Sequence, residues 1–276
     1  YIPAQDIPAI YAKEPDWEFT PGFWNTATEF ETLHMPDDPE IVAQILASMT
    51  GQIVAWDPKE QREAWQYQHA GPWNGGMLAT GGDLVFQGSL IGEFAAYNAS
   101  SGKRVWQYPV HTGIAAAPIS YAVNGEQHIA VAAGFGTLAP MFGGKPLAAA
   151  NFQNYSRILA FKSGGDASLP TPVASAPPPV PEPPSIDADD AALASGKDKY
   201  YERCVNCHGM DVASGGLVPD LRYASHETFA AWDAIVLGGS LRDKGMPAFG
   251  GIFSKEDSDA VKAFVISEAR RAYAEQ

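Results

Sequence analysis

A segment that recurs after 41 residues most constrains how this chain can fold. Residues 51–57 and 92–98 both run from a glycine through apolar and aromatic residues to a polar one. Each copy is followed by a tryptophan and a tyrosine at the same spacing, namely Trp65 and Tyr67 in the first and Trp106 and Tyr108 in the second. A period of about 40 to 45 residues is that of one four-stranded propeller blade. The repeat therefore predicts an all-β part built from such blades.

Other strand, turn and helix signals surround the repeat. Residues 83–90 favour a strand, and Asn124-Gly125 between two apolar runs predicts a tight hairpin. Residues 157–162 form a weaker third copy that lacks the following tryptophan, and we expect them to be the closing strand. Asp38-Pro39 begins an apolar pattern of helical period, which predicts a capped helix that ends near Gly51 and is inserted between strands.

About two blades cannot close a propeller. An open set would leave strand edges unpaired and apolar faces exposed. We therefore expect the β part to be completed by another chain or to belong to a larger polypeptide. The chain begins at Tyr1 without a charged and then apolar leader, so we expect that a leader or a much larger piece preceded it.

A proline-rich stretch at residues 166–186 divides the chain. It contains eight prolines with Ala, Ser and Val between them. Such a composition cannot pack a core and favours an extended polyproline conformation. We interpret it as a semi-rigid linker between a β domain at residues 1–165 and a second domain at residues 187–276.

The pattern after the linker is helical. One helix is predicted from about Asp189 to Cys204, and a second from Ser225 to the glycine pair at 238–239. A third begins at Ser254, with Asp257 placed for a capping box, and extends to about residue 271. The second domain is therefore predicted to be all-α.

The motif Cys204-Val-Asn-Cys207-His208 is the C-x-x-C-H sequence of covalent haem attachment. Two thiols on one helical turn can each bond one vinyl group of the haem, and the adjacent histidine then projects onto the iron. A thioredoxin-like pair would not require His208, and a zinc site would need two more ligands. The chain has only these two cysteines, which also excludes a disulfide framework. We predict haem c on Cys204 and Cys207 with His208 as an axial ligand.

The second axial ligand is predicted to be Met246. The helical domain contains two methionines, and Met210 lies too close to the motif to reach the far side of a haem. Met246 lies in a glycine-bounded loop between the second and third helices, and Met/His ligation raises the haem potential. The alternatives are that Met246 only packs the loop, or that His226 competes for the iron. Pro219, Leu221 and Trp232 are expected to wall the haem, although core packing alone would also explain them.

These features together resemble a class I cytochrome c. The resemblance covers residues 187–276: the first helix, the C-x-x-C-H motif, Pro219-Asp-Leu221, Met246-Pro247 and the last helix.

Three stretches of the β part resemble the carboxy-terminal portion of quinohaemoprotein alcohol dehydrogenases, which use pyrroloquinoline quinone (PQQ). They are residues 1–5, residues 71–88 with the sequence Gly-Pro-Trp-Asn-Gly-Gly at their start, and residues 113–136. The resemblance implies the last blades of an eight-bladed propeller, in which each blade docks on its neighbour through a repeated tryptophan. Ala55, Asp57 and Trp65 match this docking repeat, as do Ala96, Gly102 and Trp106, whereas Gln61 and Asn98 depart from it.

The resemblance also implies cofactor contacts. Trp73 and Asn74 match positions near the PQQ, and Leu138 falls where the family places a residue against the cofactor, although Phe135-Gly-Thr137 replaces the usual Trp-Gly-Gly. The Ca²⁺ ligands, the catalytic aspartate and most PQQ contacts of the family precede the first stretch. We therefore expect no catalytic residue in this chain, and we expect an amino-terminal chain of the same enzyme to complete the propeller.

Composition excludes some partners. The net charge of −14 argues against nucleic acid, because phosphate binding needs a basic surface. No apolar run reaches the ~18 residues of a membrane span. The resemblance to quinohaemoprotein alcohol dehydrogenases implies a periplasmic oxidoreductase in which an alcohol is oxidised at PQQ and Ca²⁺ in the completed propeller. Electrons would pass to haem c and on to a soluble or membrane acceptor. The alternatives are a non-enzymatic electron-transfer cytochrome with a β partner-binding module, and a PQQ dehydrogenase for sugars or polymeric alcohols.

Overall fold

The computed structural model describes residues 1–9, 11–19, 25–29, 36, 38–134, 155–172, 178–214 and 218–276. These residues belong to two compact units. Strands dominate the first unit, which contains residues 1–9, 36, 38–134 and 155–172. Helices dominate the second unit, which contains residues 11–19, 25–29, 178–214 and 218–276. This order, with sheets first and helices after them, agrees with the predicted order of a partial propeller and a cytochrome domain.

Three antiparallel sheets form the first unit. The first sheet has the order β1 (Ile2–Asp6), β2 (Thr50–Asp57), β3 (Arg62–His69). The second has the order β4 (Met77–Thr80), β5 (Leu84–Gly88), β6 (Glu93–Asn98), β7 (Arg104–Pro109). The third joins β8 (Ile119–Val123), β9 (Glu126–Ala133) and β10 (Arg157–Lys162), with β9 in the middle. The predicted helix α1 (Pro39–Ser48) lies between β1 and β2, and Asp38 caps it.

The sequence repeat is a structural repeat. Its two copies form the hairpins β2–β3 and β6–β7, and the pairing slips by one residue just after Ala55 in the first and just after Ala96 in the second. A bulge at the same repeat position gives both hairpins the same local bend. The structure therefore confirms that the period found in the sequence marks equivalent strands.

The two departures from the docking repeat leave its backbone intact. Gln61 occupies the position of Gly102 and adopts the same left-handed backbone, with φ of 52° against 70°. Asn98 replaces Asp57, and both side chains accept a hydrogen bond from the backbone N–H three residues later, at 2.9 Å and 3.1 Å. The turn therefore tolerates both substitutions, although a left-handed glutamine costs about 1 kcal/mol.

Neighbouring sheets dock through the aromatic side chains of the repeat. Trp65 on β3 donates its indole N–H to the carbonyl oxygen of Ala99 beyond β6, at 2.8 Å. Gly102 faces the same indole so closely that a Cβ there would lie 2.4 Å from the ring. Trp106 on β7 contacts Phe161 on β10, with ring centres 5.4 Å apart. The tryptophans predicted to join blades therefore do join adjacent sheets.

The hairpin predicted at Asn124-Gly125 is confirmed. Both residues have positive φ, 52° and 83°, which a two-residue turn with the twist of the strands requires. Val123 and Glu126 are paired directly across it.

Two boundaries differ from the sequence prediction. Asp83 is a left-handed turn residue before β5, and Gly51 is already inside β2 rather than at the end of a helix.

Helices form the second unit. They are α2 (Asp190–Arg203), α3 (Val205–His208), α4 (His226–Ala230), α5 (Trp232–Val236) and α6 (Lys255–Ala274). Asp189, Ser225 and Ser254 cap α2, α4 and α6, and Ser254 with Asp257 forms the predicted capping box. The single helix expected from Ser225 is instead two short helices that meet at Ala231. None of the helices in the described ranges is long and apolar enough to cross a membrane.

The first and last helices of this unit touch backbone to backbone. A Cβ at Gly196 on α2 would lie 2.0 Å from the carbonyl oxygen of Ala260 on α6. Only glycine permits this approach. Around the crossing, the side chains of Tyr200, Val261 and Phe264 are almost completely buried, so the contact of α2 with α6 organises the helical core.

The proline-rich stretch forms no helix or strand at its described residues, and each end is held by its own unit. The hydroxyl of Tyr108 on β7 donates to Ala167 O at 3.1 Å and accepts from Leu169 N at 2.9 Å. At the other end, the side-chain amide of Gln276 accepts from Val180 N at 2.8 Å and donates to Val180 O at 3.2 Å. Because both ends are hydrogen-bonded to a unit, the part that links the two units is shorter than residues 166–186.

We expect Gly102→Ala to destabilise the β unit more than Gly125→Ala. Both glycines have a left-handed backbone, for which any substitution costs about 1–2 kcal/mol. At Gly125 no described atom lies within 4 Å of the added Cβ, whereas at Gly102 the Trp65 ring is in the way, which adds about 1–3 kcal/mol of overpacking. Denaturant unfolding followed by circular dichroism measures both. Equal destabilisation would contradict the docking role of Trp65.

We expect Asp257→Asn to lower the melting temperature of the helical unit at pH 7, and we expect the difference to disappear once the pH falls below the lowered folded-state pKa of Asp257. The N–H of Ser254 and the ammonium of Lys199, 3.0 Å away, lower the pKa of Asp257. A lowered folded-state pKa means that the stabilisation is present above the ordinary carboxyl pKa and is lost as the pH falls through the folded value. Glu256→Gln, which removes a charge from the same helical turn, is the control. A difference that persists at low pH would contradict this assignment.

Candidate functional site

One helical turn carries the cysteines and the histidine of the C-x-x-C-H motif. Cys204 ends α2 and begins α3, and its backbone N–H donates to Tyr200 O at 2.7 Å. The N–H of His208 donates back to Cys204 O at 2.9 Å, which closes the turn. Both thiols are free, that of Cys207 is exposed, and burial raises the pKa of the Cys204 thiol to about 12. The turn therefore presents two unpaired thiols and an imidazole together.

The imidazole of His208 has a defined tautomer. Its Nδ1 lies 3.3 Å from the carbonyl oxygen of Pro219. A carbonyl can only accept, so Nδ1 carries the proton and the lone pair of the neutral ring is on Nε2. Burial lowers the pKa of His208, which favours the neutral ring at pH 7. A neutral imidazole with its outer nitrogen bonded to a carbonyl is the form in which histidine ligates metals.

Tyr200 fixes the chain just after the motif, and sequence reasoning missed it. Its fully buried hydroxyl donates to Gly209 O at 2.7 Å, and Gly209 has a φ of 81°. Burial raises the pKa of Tyr200 well above its ordinary value, so the hydroxyl remains a donor. The spacing from Tyr200 to Cys204 is one helical turn, which places the two on the same face of α2. That spacing was the only signal in the sequence.

Met246 and Cys204 pack against the same buried core. Met246 follows Gly245, whose left-handed backbone ends a short 3-10 turn. Phe249 N donates to Val236 O at 2.7 Å, which anchors the far side of the Met246 loop to α5. Met210, in contrast, is 3% exposed and is itself part of the core. Of the two methionines, Met246 is therefore the one held in a loop at the edge of the core.

The remaining residues named near the haem have distinct roles. Pro219 holds His208 through its carbonyl, and Leu221 packs against the core. Trp232 is 6% exposed, and its indole N–H lies 3.1 Å from both oxygens of Ser258, O and Oγ, which supports the core-packing alternative. His226 is in the first turn of α4, and its Nε2 lies 3.0 Å from Glu182 O. That contact ties it to the linker.

The loop between β3 and β4 carries the residues expected near PQQ. Trp73 has a left-handed backbone with φ of 59°, and its N–H donates to the Gln5 side chain at 2.9 Å. Asn74 donates from Nδ2 to Gly71 O at 2.8 Å. A left-handed tryptophan costs of order 1–3 kcal/mol and is retained where the surroundings hold it, commonly at functional sites. Leu138 lies outside the described residues.

A buried glutamine supports this loop. Gln87 on β5 is 1% exposed, accepts from His69 Nε2 at 2.8 Å and donates to Gly75 O at 2.7 Å. Sequence reasoning gave His69 no role, and nothing in its spacing pointed to Gln87. Within the described parts of the chain, no group of three or more His, Cys, Asp or Glu side chains could hold a metal ion.

Two family models match the chain, one in each unit. The model described as cytochrome c oxidase, cbb3-type, subunit III matches residues 191–265, which include the C-x-x-C-H turn. The PQQ_2 model, described as outer membrane protein assembly factor BamB, matches residues 49–142, which include both copies of the repeat.

Known proteins match nearly the whole chain. It is 38% identical over 99% of its length to the quinohemoprotein alcohol dehydrogenase ADH IIB of Pseudomonas putida, of which it covers 38%. The solved structure of ADHIIG from P. putida HK5 matches with a TM-score of 0.85 at 34% identity, over 100% of this chain and 40% of that one. That of the Comamonas testosteroni enzyme matches with a TM-score of 0.71 at 32% identity, over 98% and 39%.

The chain thus spans about two fifths of the length of the relatives that it matches. The resemblance to quinohaemoprotein alcohol dehydrogenases that the sequence predicted is confirmed by these matches. This chain is similar, across nearly its whole length, to about two fifths of the length of several quinohaemoprotein alcohol dehydrogenases.

Proposed function

We propose that this chain is the electron-exit part of a quinohaemoprotein alcohol dehydrogenase. The observation that carries the proposal is the C-x-x-C-H turn with His208 held as the Nδ1–H tautomer, in the same chain as a propeller-type unit that matches the PQQ_2 model. Relatives that match nearly the whole chain are named quinohemoprotein alcohol dehydrogenases. An alcohol is oxidised at PQQ and Ca²⁺ in the complete enzyme, and its electrons leave through a haem c on this chain.

The residues of the turn fit a covalently attached haem. Cys204 and Cys207 supply free thiols on one turn for the two thioether bonds. His208 would hold the haem iron through Nε2, since its Nδ1 is bonded to Pro219 O, and Met246 would hold it through its thioether sulfur. A haem so bound accepts and releases single electrons, and the methionine ligand keeps its potential high. The protein orients the histidine through Pro219, and Cys204 and Met246 pack against the buried cluster that includes Tyr200, Phe249 and Val205.

The finer fold that supports this function is an eight-bladed propeller followed by a class I cytochrome c domain. The second sheet has the four antiparallel strands of a propeller blade, and its neighbours have three each. Trp65 and Trp106 join adjacent sheets as blade-docking residues should. In the helical unit, α2 and α6 are in backbone contact at Gly196, which supports one compact helical domain.

The PQQ and Ca²⁺ are held mainly by the part of the enzyme that this chain does not include. The matched relatives are more than twice as long as the chain, and the three sheets need further blades to close a ring. From this chain, Trp73, Asn74 and Leu138 contribute to the PQQ site. The strained backbone of Trp73 and the buried Gln87 that supports its loop favour such a role.

The enzyme acts in the periplasm, where thioether attachment of haem takes place in bacteria. Its partners are the rest of the same enzyme, which completes the propeller, an alcohol substrate, and a soluble or membrane-bound electron acceptor. The proline-rich residues 166–186 link the two units and keep the haem domain at a high effective concentration near the site of oxidation.

We expect the native enzyme that contains this chain to reduce its own haem when a primary alcohol is added without dye. Substrate electrons then reach the iron through the protein, and the reduced haem bands grow. Glucose serves as the matched substrate control, and dithionite gives the full amplitude. Haem bands that respond to dithionite but to no alcohol would contradict the dehydrogenase. Haem reduction by glucose but not by a primary alcohol would indicate a dehydrogenase that acts on sugars.

We expect Met246→Leu to change the haem and Met210→Leu to leave it unchanged. Replacing the sulfur at 246 removes an axial ligand, so the potential falls and the ferric spectrum becomes that of a high-spin iron or takes on another ligand. Met210 is buried in the core, where the volume-conserving change costs less than about 1.5 kcal/mol. Optical redox titration of both variants measures the effect. Unchanged spectra for Met246→Leu, or the same change in both variants, would contradict the assignment.

A further inference from the structure

The loop that presents Pro219 to His208 is closed by an ion pair. Arg222 donates from Nε to Asp220 Oδ1 at 3.0 Å and from Nη2 to Asp220 Oδ2 at 2.7 Å. The two planar groups thus meet in a two-point contact, which holds both side chains in one orientation. Their side chains are only 13% and 17% exposed, so water and salt screen the pair less than a surface pair.

The same carboxylate organises the backbone on both sides of the loop. Oδ1 of Asp220 accepts from Arg222 N at 3.0 Å and caps the 3-10 turn Leu221–Tyr223. Its Oδ2 accepts from Ser214 N at 3.2 Å, across the loop. The hydroxyl of Ser214 in turn donates to Val218 O at 2.6 Å. Asp220 and Ser214 therefore fix the residues immediately before and after Pro219.

Beyond Asp220, the loop is attached to the core. Leu221 packs against the buried cluster of the second unit, and the turn that contains it lies against α6. The carbonyl of Pro219 therefore has one position, set by Asp220 and Arg222 on one side and by Ser214 on the other. That carbonyl is the acceptor for His208 Nδ1.

We infer that the Asp220–Arg222 ion pair positions the Pro219 carbonyl against His208 and thereby sets the reduction potential of the haem. The inference rests on the proposed function, because it requires haem iron on His208. A hydrogen bond from Nδ1–H to a well-placed carbonyl makes the imidazole a stronger electron donor. Stronger donation favours ferric over ferrous iron and lowers the potential, which is one of the means by which a protein tunes a haem.

The positioning role of Arg222 can be distinguished from the effect of its charge, because loss of the one raises the haem reduction potential and loss of the other lowers it. If Arg222 acted only as a nearby cation, its removal would favour ferric iron and lower the potential. If it acts by holding the loop, its removal loosens the Pro219 carbonyl, weakens the hydrogen bond of His208 and raises the potential. Lysine keeps the charge but cannot form the two-point contact with a carboxylate. Arg222→Lys therefore removes the positioning and leaves the charge.

The test compares Arg222→Lys and Arg222→Gln with Lys262→Gln, which removes a cation from α6 of the same unit. The variants are made in the complete enzyme. Haem attachment is checked by staining after denaturation, and the midpoint potential is measured by optical redox titration. Low-temperature electron paramagnetic resonance of the ferric haem reports the ligand field of His208. We expect both Arg222 variants to have higher potentials and altered ferric g-values, and Lys262→Gln to have an unchanged or lower potential.

Other outcomes have separate meanings. An unchanged potential in Arg222→Lys, or a lower one in Arg222→Gln, overturns the positioning role and leaves the haem assignment standing. Loss of haem from Arg222→Lys also contradicts the inference, because a residue that only positions Pro219 leaves thioether formation intact. If the wild-type chain itself holds no haem after denaturation, the proposed function fails instead. If Arg222→Gln does not fold, Arg222→Lys alone decides the question.

Discussion

The close crossing of α2 and α6 is the constraint on which the helical unit depends. Gly196 lets the two backbones touch at Ala260, and a larger residue there would push α6 away. The carboxyl end of α2 carries Cys204, and α6 supports the 3-10 turn that follows Pro219. One contact between helices therefore relates the two parts of the chain that hold His208: the turn that carries it and the loop that bonds its Nδ1.

The β unit depends on contacts of its tryptophans with the next sheet. The indole of Trp65 lies on the turn at Gly102 and its N–H donates to Ala99 O, whereas Trp106 packs against the ring of Phe161. Because each sheet is docked by its neighbour, the set of three can be extended by further sheets of the same kind. That property agrees with a chain that covers two fifths of the length of its relatives.

Much of this arrangement could be predicted from the sequence, because the signals are local. The C-x-x-C-H turn, the hairpin at Asn124-Gly125 and the capping box at Ser254 each depend on residues within one turn of each other. The docking tryptophans were found because they repeat. The break of the predicted second helix at Ala231 has no proline or glycine to mark it.

The contacts around His208 could not be predicted from the sequence, because they join residues through a folded loop. The hydrogen-bond partner of His208 is the backbone carbonyl of Pro219, and since every residue has such a carbonyl, the sequence does not indicate which one accepts. The sequence did not predict that Asp220 and Arg222 form an ion pair, which depends on the conformation of the loop. Gln87 reads as a strand residue, although its burial and its bonds to His69 and Gly75 make it the support of the Trp73 loop.

The central claim is that this chain carries a covalently bound haem between Cys204 and Cys207. The most direct measurement is the mass of the chain after denaturation of the native enzyme, followed by peptide mapping of residues 204–208. We predict a chain heavier by one haem, with the added mass on the peptide that contains both cysteines. A chain of unmodified mass with two titratable thiols would contradict the account.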